Sequence, residues 1–275
     1  MKRYDYDQPT LLDGLEEDDA VATPAPVDIA VAPAPVPAIP EPGQPVDEYA
    51  ICKQVIKAFN DLCQAVRRSA DTVFDHWLEF ILNGWQVEGE GLKWWNYTPE
   101  ETMKYKVMYD VLLESMARIL TVRDWYDFLG VIYENGVAGL YRKKGGGQFF
   151  TPIHVCDLMS KLVETEKEKK DESICDPCCG SGRLLLAGHA ENPEAVVHAT
   201  DLDRTCVLMT AVNLLLHGCR GKVMWGNSLV PDDVRETWYI NPMLGNPDSP
   251  LGMLPHCYKA TQDTRPDKPA STQAD

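Results

Sequence analysis

From Tyr49 to Leu82, apolar side chains recur at Ile51, Val55, Phe59, Leu62, Val66, Val73, Trp77 and Ile81. Steps of four, three and seven mark one helical face, so the pattern predicts a helical element that Gly84 and the Gly89-Glu90-Gly91 stretch bring to an end. Thr98-Pro99-Glu100-Glu101 supplies an N-cap, a proline in the first turn and acids near the positive helix end. It predicts a helix reaching Leu120. Thr121-Val122-Arg123-Asp124 opens a further helix, which stops near Gly136. Residues 48–144 thus read as a helical N-terminal domain whose Trp and Phe side chains are core, with nothing at catalytic spacing.

After Gly145 the pattern changes to alternating strands and helices. Glu172 to Asp176 is a short apolar strand leading into Pro177-Cys178-Cys179-Gly180-Ser181-Gly182, with a helix from Arg183. Ala195 to Asp201 is a second strand, Arg204 to His217 a helix, and Lys222 to Gly226 a third strand. That order predicts an α/β domain over residues 145–258, with a parallel sheet and right-handed crossovers. Ligands of such sheets bind beyond the carboxyl ends of the strands.

Charge and composition set off the two ends. Residues 1–47 carry ten Asp or Glu and two Lys or Arg, half of the chain's net charge of −16, together with prolines from Pro24 to Pro45. Proline removes backbone donors, and Ala and Val alone bury too little surface to offset the ordering entropy, so 1–47 reads as a disordered arm. Within it, Gln8-Pro9-Thr10-Leu11-Leu12 is similar to the short peptides by which replication enzymes grip sliding clamps, a five-residue match of a kind that arises by chance. Residues 259–275 read as a loose tail. No run reaches ~18 apolar residues, so no membrane helix is expected. The first residues lack the apolar stretch of a secretory signal, and nine cysteines suit reduced thiols, so a cytoplasmic protein is expected. The acidic balance excludes coating nucleic acid by bulk charge but not a local basic patch. Arg142-Lys143-Lys144 reads either as a phosphate contact or as a solvated loop. The Cys175-x-x-Cys178 pair has no second pair at zinc-finger spacing, and no metal is expected.

The strand ends carry the chemistry. A glycine-bearing turn from strand to helix admits a ligand where any Cβ would block it. Here an acid leads the turn, there is no Gly-Lys-Ser/Thr, and the Gly-x-Gly-x-x-Gly pattern fails. Asp176 suits a cationic ligand, and Asp201, 25 residues later, is set to accept from ribose hydroxyls. Together they point to a positively charged nucleoside, S-adenosyl-L-methionine.

Four segments make the pattern specific: Asp127 to Glu134, Gly147 to Pro152, Asp176 to Gly182, and Asn213 to Gly218. In this order they resemble the N6-adenine DNA methyltransferase family, and within it the modification subunits of type I restriction systems, with their helical N-terminal domain. The resemblance implies a Rossmann-like cofactor sheet, incomplete here at its C-terminal half. It implies that Phe150, Thr151 and Pro152 close over the methionine end of the cofactor, that Asp176, Pro177, Gly180 and Gly182 wrap it, and that Asp201 binds its ribose. Asn227 stands where the family has an acid for the adenine amino group; its amide oxygen can still accept that bond. DNA, and a specificity or other restriction-modification subunit, are the implied partners.

The catalytic motif departs from the family. Asn-Pro-Pro-aromatic becomes Asn246-Pro247-Asp248-Ser249, with Asn241-Pro242-Met243-Leu244 as the alternative. Neither has the ring on which a flipped base stacks, worth roughly 1–3 kcal/mol. After Asn246 only 29 residues remain, too few for three further strands and a target-recognition region. The expectation is a DNA methyltransferase acting on adenine N6, with Asn246 and Pro247 orienting the amino group. The alternatives are a catalytically impaired, cofactor-binding relative serving as a partner subunit or restriction decoy, and a methyltransferase of another acceptor such as RNA.

Overall fold

The computed structural model describes residues 46–86, 98–137, 150–163, 172–230, 233–247, 249 and 251–260. The clamp-like peptide, nearly all of the acidic arm, Arg142 to Lys144 and the tail beyond Ala260 lie outside them. The chain runs α1 (Glu48–Val66), α2 (Ala70–Gly84), α3 (Pro99–Ile119), α4 (Phe128–Ile132) with a π-helical turn Tyr133–Val137, α5 (Ile153–Val163), β1 (Ser173–Asp176), α6 (Arg183–Glu191), β2 (Val196–Asp201), α7 (Arg204–Leu216), β3 (Arg220–Gly226), β4 (Val234–Ile240) and β5 (Cys257–Ala260).

The periodic face from Tyr49 to Leu82 is two helices, not one. Arg67 turns left-handed at φ 55°, its amide donating to the Cys63 carbonyl, and extended Ser69 opens α2. The seven-residue step from Val66 to Val73 is where the chain reverses. Phe59 of α1 and Phe74 of α2 meet edge to face, their centroids 5.7 Å apart, beside buried Trp77. α3 begins as its sequence predicts: the Thr98 hydroxyl accepts from Glu101 N at 3.2 Å while the Glu101 carboxylate accepts from Thr98 N at 3.0 Å. The next helix starts later than Thr121. Its cap is Asp127, whose carboxylate accepts from Gly130 N at 2.7 Å.

β1, β2 and β3 are parallel, with Asp176 opposite Ala199 and Asp201 opposite Trp225. α7, buried from Cys206 through Leu215, lies between the sheet and α2, so helices and sheet share one apolar cluster. The sheet then departs from the all-parallel expectation. β4 pairs antiparallel with β3 and β5 antiparallel with β4, in the order β1-β2-β3-β4-β5. A parallel return takes a dozen or more residues. Only residues 227–233 lie between Gly226 and Val234, and Asn227 N closes the reversal on Asp233 O at 3.0 Å.

Among the described residues, β1 pairs with β2 alone, and its Cys175 is exposed. α5 packs on α6 and turns Leu158, Met159, Leu162 and Val163 to solvent.

Candidate functional site

The carboxyl ends of β1, β2 and β3 gather the predicted motifs. In the turn after β1, Gly180 has φ 56° and Gly182 has φ 86°. A Cβ at Gly180 would sit 3.0 Å from the Phe150 ring, and one at Gly182 would sit 3.2 Å from the Thr210 side chain. Conformation and space both demand glycine. The turn is tied down on every side: Cys178 N donates to Asp176 Oδ1 at 3.0 Å, Cys179 N to Thr200 O at 3.0 Å, and the Thr210 hydroxyl to Gly180 O at 2.9 Å. Gly180 N donates to Asp201 Oδ2 at 2.9 Å, while Asp203 N donates to Asp201 Oδ1 at 2.9 Å. The turn led by one acid is therefore docked on the other acid. Pro177 is exposed within it.

Burial raises the carboxyl pKa of Asp176 above the usual aspartate value; the Cys178 amide opposes this and neighbouring Asp201 adds to it. Among the described residues, no cationic side chain pairs with Asp176 or Asp201. Two acids at one crevice without a counter-charge suit a ligand bearing positive charge and hydroxyls.

The second wall is the segment entering α5. Phe150 lies against Gly180, and its ring is 5.5 Å from that of Tyr133, which in turn is 5.9 Å from Phe74. Pro152 O accepts from Val155 N and Cys156 N and starts the helix. Between the walls sits Arg183, absent from the sequence reading. It is 6% exposed, with Nε on Asp127 Oδ2 at 2.6 Å, Nη2 on Glu134 Oε2 at 2.9 Å and Nη1 on Thr151 O at 3.2 Å. Fully buried Asp127 also accepts from the Ser181 hydroxyl at 2.7 Å and Asn213 Nδ2 at 2.8 Å. Gly130 lies under that carboxylate, where a Cβ would be 2.0 Å from Oδ2. The segments 127–134 and 213–218 thus buttress the turn. The available signal for Arg183 was a charged residue heading the apolar run of α6, directly after the glycine turn.

Other predicted residues are not joined to this group. The Asn227 amide oxygen accepts from Leu229 N at 3.0 Å and so caps its own turn. Asn246 and Pro247, expected to orient the acceptor amino group, follow β4 in the chain. β4 runs antiparallel, so Ile240 faces Gly221 near the start of β3, and the residues beyond it lie at the opposite end of the sheet. Four residues of β3, from Gly221 to Trp225, or roughly 13 Å, separate the level of Ile240 from that of Asp201. Asn241, the alternative, is buried with φ 48°; its amide donates to Leu215 O and Cys219 O and accepts from His256 N. It holds the fold together and is closed to a base.

A strand–helix–strand sheet with an acid-led glycine turn after β1 and a second acid ending β2 defines an α/β domain with its candidate site at the strand ends. Residues 124–251 match the N-6 DNA Methylase family. The chain is 36% identical over 114 residues to the MjaVIII type I restriction methylase subunit of Methanocaldococcus jannaschii, a match covering 38% of this chain and 19% of that one. It is 28% identical over 99 residues to the MpnII type I methylase subunit of Mycoplasma pneumoniae, covering 34% and 17%. It spans about a fifth of the length of these curated relatives. A solved type I methyltransferase subunit from Streptococcus thermophilus aligns at TM-score 0.34 and 22% identity, covering 67% of this chain and 40% of that one. The resemblance to N6-adenine DNA methyltransferases, and to type I modification subunits among them, therefore stands.

Proposed function

We propose that this chain binds S-adenosyl-L-methionine at the carboxyl ends of β1 and β2, as the cofactor-holding part of a type I adenine-N6 DNA methyltransferase. The supporting observation is the Gly180 amide bonded to the Asp201 carboxylate, which joins the cationic-ligand turn to the ribose-binding acid. Asp176 would hold the sulfonium and amino groups, Asp201 the ribose hydroxyls, and Phe150 to Pro152 the methionine end. When bound, the cofactor supplies the electrophilic methyl group. Adenine N6 of DNA is the acceptor, in line with the family's description, and a specificity or other restriction-modification subunit is the partner, in line with relatives that are themselves subunits of type I restriction enzymes.

The chain alone holds the cofactor without transferring the methyl group. Asn246 and Pro247 lie at the far end of the sheet, and the amide of Asn241 is fully engaged. The test is titration calorimetry with S-adenosyl-L-methionine beside a tritium-transfer assay on genomic DNA and on RNA. Saturable binding without label transfer is expected. No binding at millimolar ligand sinks the reading. Transfer by the chain alone sinks the second part, and Asn246→Ala would then identify the dipeptide used.

A further inference from the structure

We propose that Arg183 is the positioning residue of the cofactor cradle: its guanidinium locks the Phe150–Thr151 wall against the glycine turn and so sets how firmly the amino-acid end of the ligand is held. This inference rests on the cofactor reading above.

Arg183 follows Gly182 directly as the first residue of α6, so its backbone moves with the turn. From there one planar group reaches three separate pieces of chain. Nε reaches the Asp127 cap of α4, Nη2 the Glu134 carboxylate of the π-helical turn, and Nη1 the Thr151 carbonyl just before α5. The Phe150 ring lies 5.4 Å from the guanidinium carbon. Every guanidinium nitrogen is engaged by protein, so Arg183 acts on the ligand through its neighbours. Asp127 closes the frame from the other side: it also accepts from Ser181 of the same turn and from Asn213, whose amide donates on to Ser181 O at 2.8 Å.

Stability alone is a poor reason for this arrangement. A buried ion pair loses hydration that its attraction only partly restores, and apolar replacements are often neutral or stabilising. A fork of fixed geometry instead fixes distances and angles, as a lysine with a single point of attachment cannot. The distance fixed here runs from the Phe150 ring to the Gly180 backbone, already close enough that an added Cβ would touch the ring at 3.0 Å.

A wall out of place harms ligands that reach it and spares those that do not. S-adenosylhomocysteine carries the amino-acid chain; 5′-methylthioadenosine keeps the nucleoside and lacks it. Titration calorimetry of both, on the full chain and on Arg183→Met, tests the role. Arg183→Met is expected to weaken S-adenosylhomocysteine by about tenfold or more, with 5′-methylthioadenosine within about twofold. Glu134→Gln is expected to move the same ratio in the same direction by less. Arg183→Lys, which keeps the charge but not the fork, does not restore the ratio. Equal loss for both ligands, or no loss, overturns the positioning role. If circular dichroism shows Arg183→Met unfolded, Glu134→Gln decides, because that carboxylate is partly exposed. Failure of the unaltered chain to bind either ligand overturns the cofactor reading and is distinct from both outcomes.

Discussion

Two acids near the glycine turn, fully buried Asp127 and half-buried Asp176, live under opposite conditions. Asp127 accepts four hydrogen bonds, one of them from a guanidinium, whereas Asp176 has the Cys178 amide and the neighbouring charge of Asp201. Because the folded chain holds the Asp176 proton more tightly than the unfolded chain does, this group favours folding below the ordinary aspartate pKa. That contribution disappears as pH rises through the raised value, so at neutral pH the ionised carboxylate weakens the fold. Asp176→Asn is therefore expected to raise Tm at pH 7 by about 1–3 °C, with the gain shrinking towards pH 4. Calorimetric scans at both pH values check this, and a lower Tm at pH 7 would contradict it. The same substitution should weaken S-adenosyl-L-methionine binding, an exchange of stability for function that charged sites commonly make. At this scale the glycine turn and Asp201 were legible in the sequence, because backbone conformation and strand ends are local properties. The contact between Asp127 and Arg183 spans 56 positions and exists only once the chain has folded.

Among the elements, the first three strands and their helices follow from pattern, because an apolar run bounded by turn residues has few other places to go. The direction of β4 does not follow from pattern. It follows from counting residues 227–233, too few for a crossover, which is a signal in the sequence that motif matching overrides. The resulting hairpin is anchored by Glu236, which accepts from Arg204 Nε at 3.2 Å, Lys259 Nζ at 2.9 Å and Trp238 Nε1 at 2.6 Å. Arg204, at the start of α7, also donates to Glu79 of α2 at 2.7 Å. Burial works against the Glu236 charge, but Lys259 and Arg204 outweigh it and the carboxyl pKa is lowered. A depressed carboxyl stabilises the fold above its unfolded pKa and loses that effect as pH falls through the folded one. Arg204→Met is expected to cost about 3 kcal/mol in urea unfolding at pH 7, and less in acid. A change below about 1 kcal/mol at neutral pH would remove the anchoring role.

At the scale of the molecule, the helices and the sheet are welded through α7, and the apolar residues of α5 are left over. Leu158, Met159, Leu162 and Val163 form an exposed stripe on a helix that packs on α6. Apolar stripes drive association in water. Sedimentation velocity of the chain alone is expected to show mass growing with concentration above the 30.8 kDa of one copy. The double substitution Leu162→Lys and Val163→Glu should hold it near that mass with an unchanged circular dichroism spectrum. Unaltered association would assign the effect to another surface.

The flank of β1 away from β2 also bears on time. A crevice between outward-running crossovers normally has a bank on each side, and among the described residues β1 is flanked by a strand on one side alone. A nucleoside held there by the described residues alone would be walled on one side, so it is expected to leave quickly even where equilibrium affinity is respectable. Residence time, more than occupancy, then becomes the gauge of whether anything has come to lie along Ser173–Asp176.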